Sequence, residues 1–181
     1  MNVLRGPRVT LRHWRDDDLA AFAALNADPE VMRQFMAPLT RAESDALATR
    51  IRTNFETRGF AQWALDVPGI GFAGFVGLSL APFEPPLPGV EAPMHEIGWR
   101  LARAAWGQGY ATEAARLALR HGFEALRLPQ VVSFTALTNL ASQALMRRIG
   151  LSLRGEFDHP RMPEGHALRR HVLYAVDAPL A

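Results

Sequence analysis

No lysine and no cysteine occur among the 181 residues, and all 20 cationic side chains are arginine. Without a lysine amine there is no Schiff-base chemistry and no P-loop lysine for nucleotide phosphates. Without a thiol there is no disulfide frame, no thiolate nucleophile and no zinc-thiolate site. The six histidines never fall into a ligand spacing such as H-E-x-x-H, so no metal is expected. Nor does any apolar run reach the roughly 18 residues that span a bilayer. The opening Met1-Asn2-Val3-Leu4-Arg5 lacks the apolar segment of a secretion signal. A cytoplasmic protein with no membrane partner is the expectation.

What is present suits a single folded domain over 1–181, a length at which about 70% of the unfolded surface becomes buried. With 49% apolar and 21% charged residues, no long segment has the composition of a disordered tail. The sequence pI of about 9.9 points at first to nucleic acid, but it reflects arginine's persistent charge. The net excess is only +2, which describes a scattered cationic surface better than a binding stripe.

Val9-Thr10-Leu11-Arg12-His13-Trp14 alternates as a strand, and Asp16-Asp17-Asp18 supplies caps for a helix through about Leu25. Asp28-Pro29-Glu30 starts a short helix, and Thr40-Arg41-Ala42-Glu43 is a capping box opening another that Gly59 stops. Phe60 to Asp66 and Phe72 to Leu80 read as a hairpin around Val67-Pro68-Gly69. Prolines and a glycine crowd residues 82–93 and impose a loop, which either roofs a site or merely connects strands. A strand from Glu96 to Leu101 then enters a tight turn at Ala104–Gly109. The helix after it has apolar positions Ala111, Ala114, Ala115, Ala118, Leu119, Phe123 and Leu126, and Pro129 ends it. The run Val131 to Ala136 is a buried strand, Asn139 caps a helix that Gly150 terminates, and Leu151–Phe157 with Arg169–Val176 close the fold.

A strand feeding Gly107-Gln108-Gly109 into a helix presents unpaired N–H groups where the helix dipole also favours negative charge. Phosphate is the natural ligand, although a tight turn with no ligand has the same pattern. The dinucleotide fingerprint G-x-G-x-x-G requires a small residue at 112, where Thr112 stands, and the Walker pattern fails without lysine. What fits is a diphosphate carried by another molecule, such as coenzyme A.

The segments Glu96-Ile97-Gly98-Trp99-Arg100-Leu101, Trp106-Gly107-Gln108-Gly109-Tyr110-Ala111-Thr112-Glu113-Ala114, Asn139-Leu140-Ala141-Ser142 and Arg148-Ile149-Gly150-Leu151 together resemble the GNAT superfamily of N-acetyltransferases. Within it they are similar to the branch of the RimJ/RimL ribosomal-protein N-terminal acetyltransferases. Arg8 to Trp14, Asp28 to Val31 and Arg170 to Tyr174 extend the likeness over nearly the whole chain. The resemblance implies a mixed α/β fold with a mostly antiparallel sheet, splayed central strands and flanking helices, and acetyl-CoA as cosubstrate. It implies that the strand at 96–103 and the strand at 131–136 splay apart to admit the pantetheine arm, which pairs with main-chain groups around Leu101 and Arg103, with Asn139 bordering it. The diphosphate would lie on the turn after Trp106, held by the N–H groups of Gly107, Gln108, Gly109, Tyr110, Ala111 and Thr112.

Acetyl transfer to an amine needs a base for the amine and a proton for the departing thiolate. Many superfamily members have a tyrosine seven residues after the motif asparagine, but Met146 stands there. Ser142 is the nearest hydroxyl, and the RimL-like resemblance implies that it donates the proton and borders the coenzyme. The bland alternative is a helix-start hydroxyl bonded to backbone. Glu96 is the candidate base, or else a rim carboxylate that attracts a cationic substrate. His95 points away from Glu96 by the strand's period of two. His171 and Tyr174 belong to the core or to the substrate side. Trp14, Trp63, Trp99 and Trp106 are scattered and expected in the core. The acceptor is a primary amine, either a protein N-terminal α-amine or a small molecule, and direct attack in a ternary complex is the expected route. A non-catalytic CoA-sensing or nucleic-acid-associated module is the alternative class, and a homodimer is left open.

Overall fold

Alternating apolar residues punctuated by glycine turns lay out the strands in a computed structural model, which describes residues 3–179. Met1 and Asn2, at the head of the segment read as lacking a secretion signal, fall outside the described residues, as do Leu180 and Ala181. The strands are β1 (Leu4–Arg5), β2 (Thr10–Arg12), β3 (Gln62–Val67), β4 (Gly71–Leu80), β5 (His95–Leu101), β6 (Gln130–Ala136), β7 (Ser152–Asp158) and β8 (Arg170–Asp177). The helices are α1 (Asp18–Ala27), α2 (Pro29–Met32), α3 (Arg41–Arg58), α4 (Tyr110–Glu124) and α5 (Leu140–Arg148). The strands form one sheet in the order β1-β2-β3-β4-β5-β6-β8-β7. β6 runs antiparallel to β8 from Gln130 opposite Asp177 to Ala136 opposite His171. With β5 it is parallel, and among the described residues that ladder consists of Glu96 opposite Val132. This is the mixed, mostly antiparallel sheet with flanking helices that the sequence led us to expect.

Contacts divide the chain into two compact units, the first taking in the chain to Leu78 together with Gly98–Ala118, the second Ser79–Ile97 together with the chain from Leu119. In the first, Phe22 meets Trp14, Phe72 and Phe75 edge to face, with its ring 4.7 Å from that of Trp14, and Trp14 lies tilted against Phe72. Beside them Arg12, 7% exposed, is held by two carboxylates. Its Nη1 and Nη2 donate to Asp18 at 2.8 Å each and its Nε to Asp66 at 2.9 Å. The acidic run is therefore structural, but not as a set of caps. Asp17 makes no side-chain cap bond, while Asp18 turns inward and accepts from the N–H of Arg15. Thr40 and Glu43 do form the capping box, and Gly59 ends α3 in the left-handed region.

In the second unit Val90, Met94, Val132, Phe157, Leu173 and Ala175 form the core. The proline-rich segment connects β4 to β5 and is tied into that core. Val90 and Met94 are buried in that core, Ala81 N–H bonds Met94 C=O, and Gln130 accepts from Glu91 N–H and donates to Gly89 C=O. Two boundaries differ from expectation. Helix α4 stops at Glu124, short of Leu126, because the chain closes on itself through Leu126 N–H to His121 C=O and Leu128 N–H to Gly122 C=O, with Arg127 at φ 55°. Arg103 lies in a 3-10 turn, Arg103–Ala105, past the end of β5, rather than on the strand.

Candidate functional site

In the first unit, β5 ends at the buried Leu101, whose carbonyl accepts the Trp106 indole N–H at 2.8 Å. Arg103 C=O accepts the Trp106 main-chain N–H at 3.0 Å. Each carbonyl thus already has one internal donor. Trp106 is 40% exposed and so corrects the core placement expected of it: its indole braces the turn from outside. Trp14 and Trp63 are buried as expected. Gly107 and Gly109 take φ of 73° and 80°, a conformation that costs other residues about 1–2 kcal/mol. That double reversal brings the chain into α4 with Gly107, Gln108 and Gly109 all exposed.

The N–H groups of these three residues meet no protein acceptor among the described residues, and those of Tyr110 and Ala111, in the first turn of α4, have no partner four residues back. Gly109 C=O receives the helix's opening bond, from Glu113 N–H at 3.1 Å. A helix of 15 residues leaves partial positive charge at this end. The fully buried Ala114, Ala115 and Ala118 let α4 lie close on its neighbours. Exposed donors with no internal acceptor are the arrangement a diphosphate requires, so the residues present fit the coenzyme's diphosphate. A concavity of about 320 Å³ in the same unit, lined by residues of 13–16 and 52–56, contains no part of this turn.

Sequence reasoning missed Arg8. Its main-chain N–H and Nε donate to the two Glu113 oxygens at 2.8 and 2.9 Å, and its Nη1 donates to Gln108 C=O at 3.0 Å. Its guanidinium also lies 5.2 Å from the centre of the Tyr110 ring. The pair is 105 residues apart in sequence, beyond any local spacing rule.

In the second unit, Asn139 caps α5. Its Oδ1 accepts Ser142 N–H at 3.3 Å and its Nδ2 donates to Thr135 Oγ1 at 2.8 Å, so both ends of the amide are engaged within the protein. Ser142 is half-buried in the first turn of α5, and Met146 is in the core at 1% exposed. Tyr174 and His171 are buried. The Tyr174 hydroxyl accepts from Arg147 Nη1 at 2.9 Å, and His171 Nδ1 contacts Arg169 C=O at 3.1 Å. Burial holds the His171 imidazole below its ordinary pKa, and both side chains serve packing within this unit.

Glu96, on β5 opposite Val132, is half-buried, and its carboxyl has no hydrogen-bond or ion-pair partner among the described residues. Burial alone pushes that carboxyl up to about 7, the property a general base near neutrality needs. Burial also lowers the neighbouring His95, which favours its neutral form. Among the described residues no three or more His, Asp or Glu side chains gather as a metal site, and no helix is long and apolar enough to cross a membrane.

Residues 8–152 match the family model described as an acetyltransferase (GNAT) domain. The chain belongs to the GNAT acetyltransferase-domain family. It is 37% identical over 140 residues to the FsC-acetyl coenzyme A-N(2)-transacetylase of Aspergillus fumigatus, a match over 71% of this chain and 55% of that protein. The chain therefore spans about half the length of that curated relative. The crystal structure of the acetyltransferase from Agrobacterium tumefaciens str. C58 superposes with a TM-score of 0.75 at 26% identity, over 97% of this chain and 94% of that one. Mycobacterium smegmatis RimJ, solved in complex with CoA-disulfide, shares the fold with a TM-score of 0.75 at 22% identity, over 98% and 86% of the two chains.

Proposed function

We propose that this GNAT-family chain moves an acetyl group from acetyl-CoA to a primary amine, as a member of the RimJ/RimL-like branch. The observation that carries the reading is the exposed Gly107-Gln108-Gly109 turn, whose N–H groups open α4 without protein acceptors. Trp106 braces this turn, and the N–H groups from Gly107 to Thr112 hold the diphosphate. Leu101 and Arg103 pair through main-chain groups with the pantetheine amides, and Asn139 borders that arm through its main chain, its side chain being spent on the cap. When bound, acetyl-CoA supplies a thioester whose acyl carbon accepts the amine directly, with no acetyl-enzyme.

The chain's own residues manage the protons. Glu96 takes the proton of the attacking amine, directly or through water, and a burial-raised carboxyl suits that role. Since Met146 has no proton to give, Ser142 Oγ–H passes one to the thiolate as the new C–N bond forms and the C–S bond breaks, and takes another from solvent in the same relay. A main-chain N–H near Leu101 stabilises the oxyanion, and proximity supplies much of the rate. The acceptor is a protein N-terminal α-amine or a small-molecule amine, and both belong in the assay.

The test mixes the protein with acetyl-CoA and a panel of small amines and N-terminal peptides, reading released thiol and acetylated product. Acetylation of at least one amine is the expected result. Coenzyme binding with no transfer to any amine moves the chain to a non-catalytic CoA-sensing module, the reading that the buried Met146 would then favour. A stable acetyl-enzyme formed from acetyl-CoA alone contradicts direct attack.

A further inference from the structure

Glu113 poses a problem for any anion bound at the start of α4. A carboxylate in the first turn suits the helix's own dipole, yet it repels a diphosphate at the same end. Arg8 resolves this. It neutralises Glu113 with two hydrogen bonds from its N–H and Nε, and it draws the Gln108 carbonyl toward itself through Nη1. With that carbonyl anchored, the N–H groups of the turn are held facing solvent. The remaining nitrogen, Nη2, has no acceptor among the described residues, and it lies 3.4 Å from where a Cβ on Gly109 would stand. The Arg8 side chain is 55% exposed and that of Glu113 only 16%. The carboxylate is thus covered while the cation faces outward.

We infer that Arg8 is the positioning residue of the diphosphate-binding turn: it cancels the Glu113 charge and fixes the Gln108 peptide so that the turn presents donors rather than acceptors. The inference rests on the coenzyme reading above and names a residue of the donor site that local sequence does not indicate. It has a distinctive consequence, because the damage from losing Arg8 comes partly from the carboxylate left behind. Removing that carboxylate as well should repair part of it.

Calorimetric titration of the full chain with CoA tests this, using the parent, Arg8→Ala, Arg8→Ala/Glu113→Gln and Arg8→Lys. Arg8→Ala should weaken CoA binding about tenfold, the size of one charge-assisted hydrogen bond. The double variant should recover to within about threefold of the parent, and Arg8→Lys, which keeps the charge but cannot bridge both partners, should lie between. KM for acetyl-CoA should follow these affinities with kcat unchanged. With acetyl-pantetheine, a donor lacking the diphosphate, parent and Arg8→Ala should be equal. Unchanged CoA affinity in Arg8→Ala, a double variant as weak as the single one, or an equal loss with acetyl-pantetheine overturns the inference while leaving the coenzyme reading intact. A parent that ignores CoA removes both. If Arg8→Ala does not fold, Arg8→Gln replaces it, and binding no weaker than that of Arg8→Lys refutes the role of charge.

Discussion

Replacing Glu96 by Gln keeps the side chain's shape and removes the one carboxyl that burial has lifted to about 7. An α-amine acceptor titrates near 7.7–8.0 and attacks only when neutral. Below about pH 7 the parent must therefore lose two protons before reacting, one from the amine and one from Glu96, and log kcat/KM should climb with a slope of about two. Between about pH 7 and 8 the slope should fall to one. At pH 6 roughly a tenth of Glu96 is ionised, so this group alone holds the parent back about tenfold relative to pH 8. Glu96→Gln should show a slope of one up to about pH 8 and a plateau above it, with a rate at pH 8 lowered by about 10²–10⁴-fold, the usual worth of a general base. The assay is thiol release across pH 5.5 to 9. The same ionisation has a stability signature of definite sign. A carboxyl raised on folding binds its proton more tightly in the native state, so the parent loses stability as pH rises from the ordinary carboxyl range through about 7. Above that range Glu96→Gln should melt higher than the parent, and the two should converge toward pH 5. A variant that retains both the steep limb and the parental rate refutes the assignment of Glu96 as base.

Three further substitutions probe separate parts of the account. Ser142→Ala should lower kcat by about 10²-fold with little change in KM for acetyl-CoA, and an unchanged kcat would leave the hydroxyl a purely local helix-start group. Arg12→Met should cost about 3–5 kcal/mol in denaturant unfolding at neutral pH, because it strands the Asp18 carboxylate in the core, and a loss below 1 kcal/mol would contradict that. Burial opposes ionisation of Asp18, but the Arg12 fork and the Arg15 N–H outweigh it and hold the carboxyl below its usual pKa. The parent's stability from this pair is therefore lost as pH falls through the acidic range, and Arg12→Met should lack that dependence. Gly74→Ala should fail to fold, since its Cβ would stand far inside van der Waals contact of the Arg100 carbonyl oxygen at a φ of 132°; soluble protein with the parental melting curve would refute this close approach.

Local chemistry made much of the fold readable. The Thr40–Glu43 box, the Asp28-Pro29 start, the Gly59 stop and the Gly107-Gln108-Gly109 turn each act within a few residues, so spacing alone identifies them. The candidate site was legible to the same extent: where donors come from one turn, the sequence shows it. What was not legible depends on tertiary choices. Asp18 bears every local mark of a cap, yet Arg12 pulls it inward, and no spacing rule distinguishes the two. Asn139 was readable as a cap, but its second bond, to Thr135, appears only once β6 and α5 are in place. The short β1 was missed because two residues carry no period, and its pairing of Leu4 with Leu11 is seen only in the fold. Arg8 with Glu113 is the functional counterpart of these omissions, an ion pair between the chain's opening segment and α4.

The most direct test of the central claim is a set of ¹H–¹⁵N spectra recorded while CoA is added to the protein. If the turn holds the diphosphate, the N–H signals of Gly107, Gln108, Gly109, Tyr110 and Ala111 should shift downfield together, and inorganic pyrophosphate should move the same signals more weakly. Saturable CoA binding that leaves these five signals in place, or no binding at millimolar coenzyme, contradicts it.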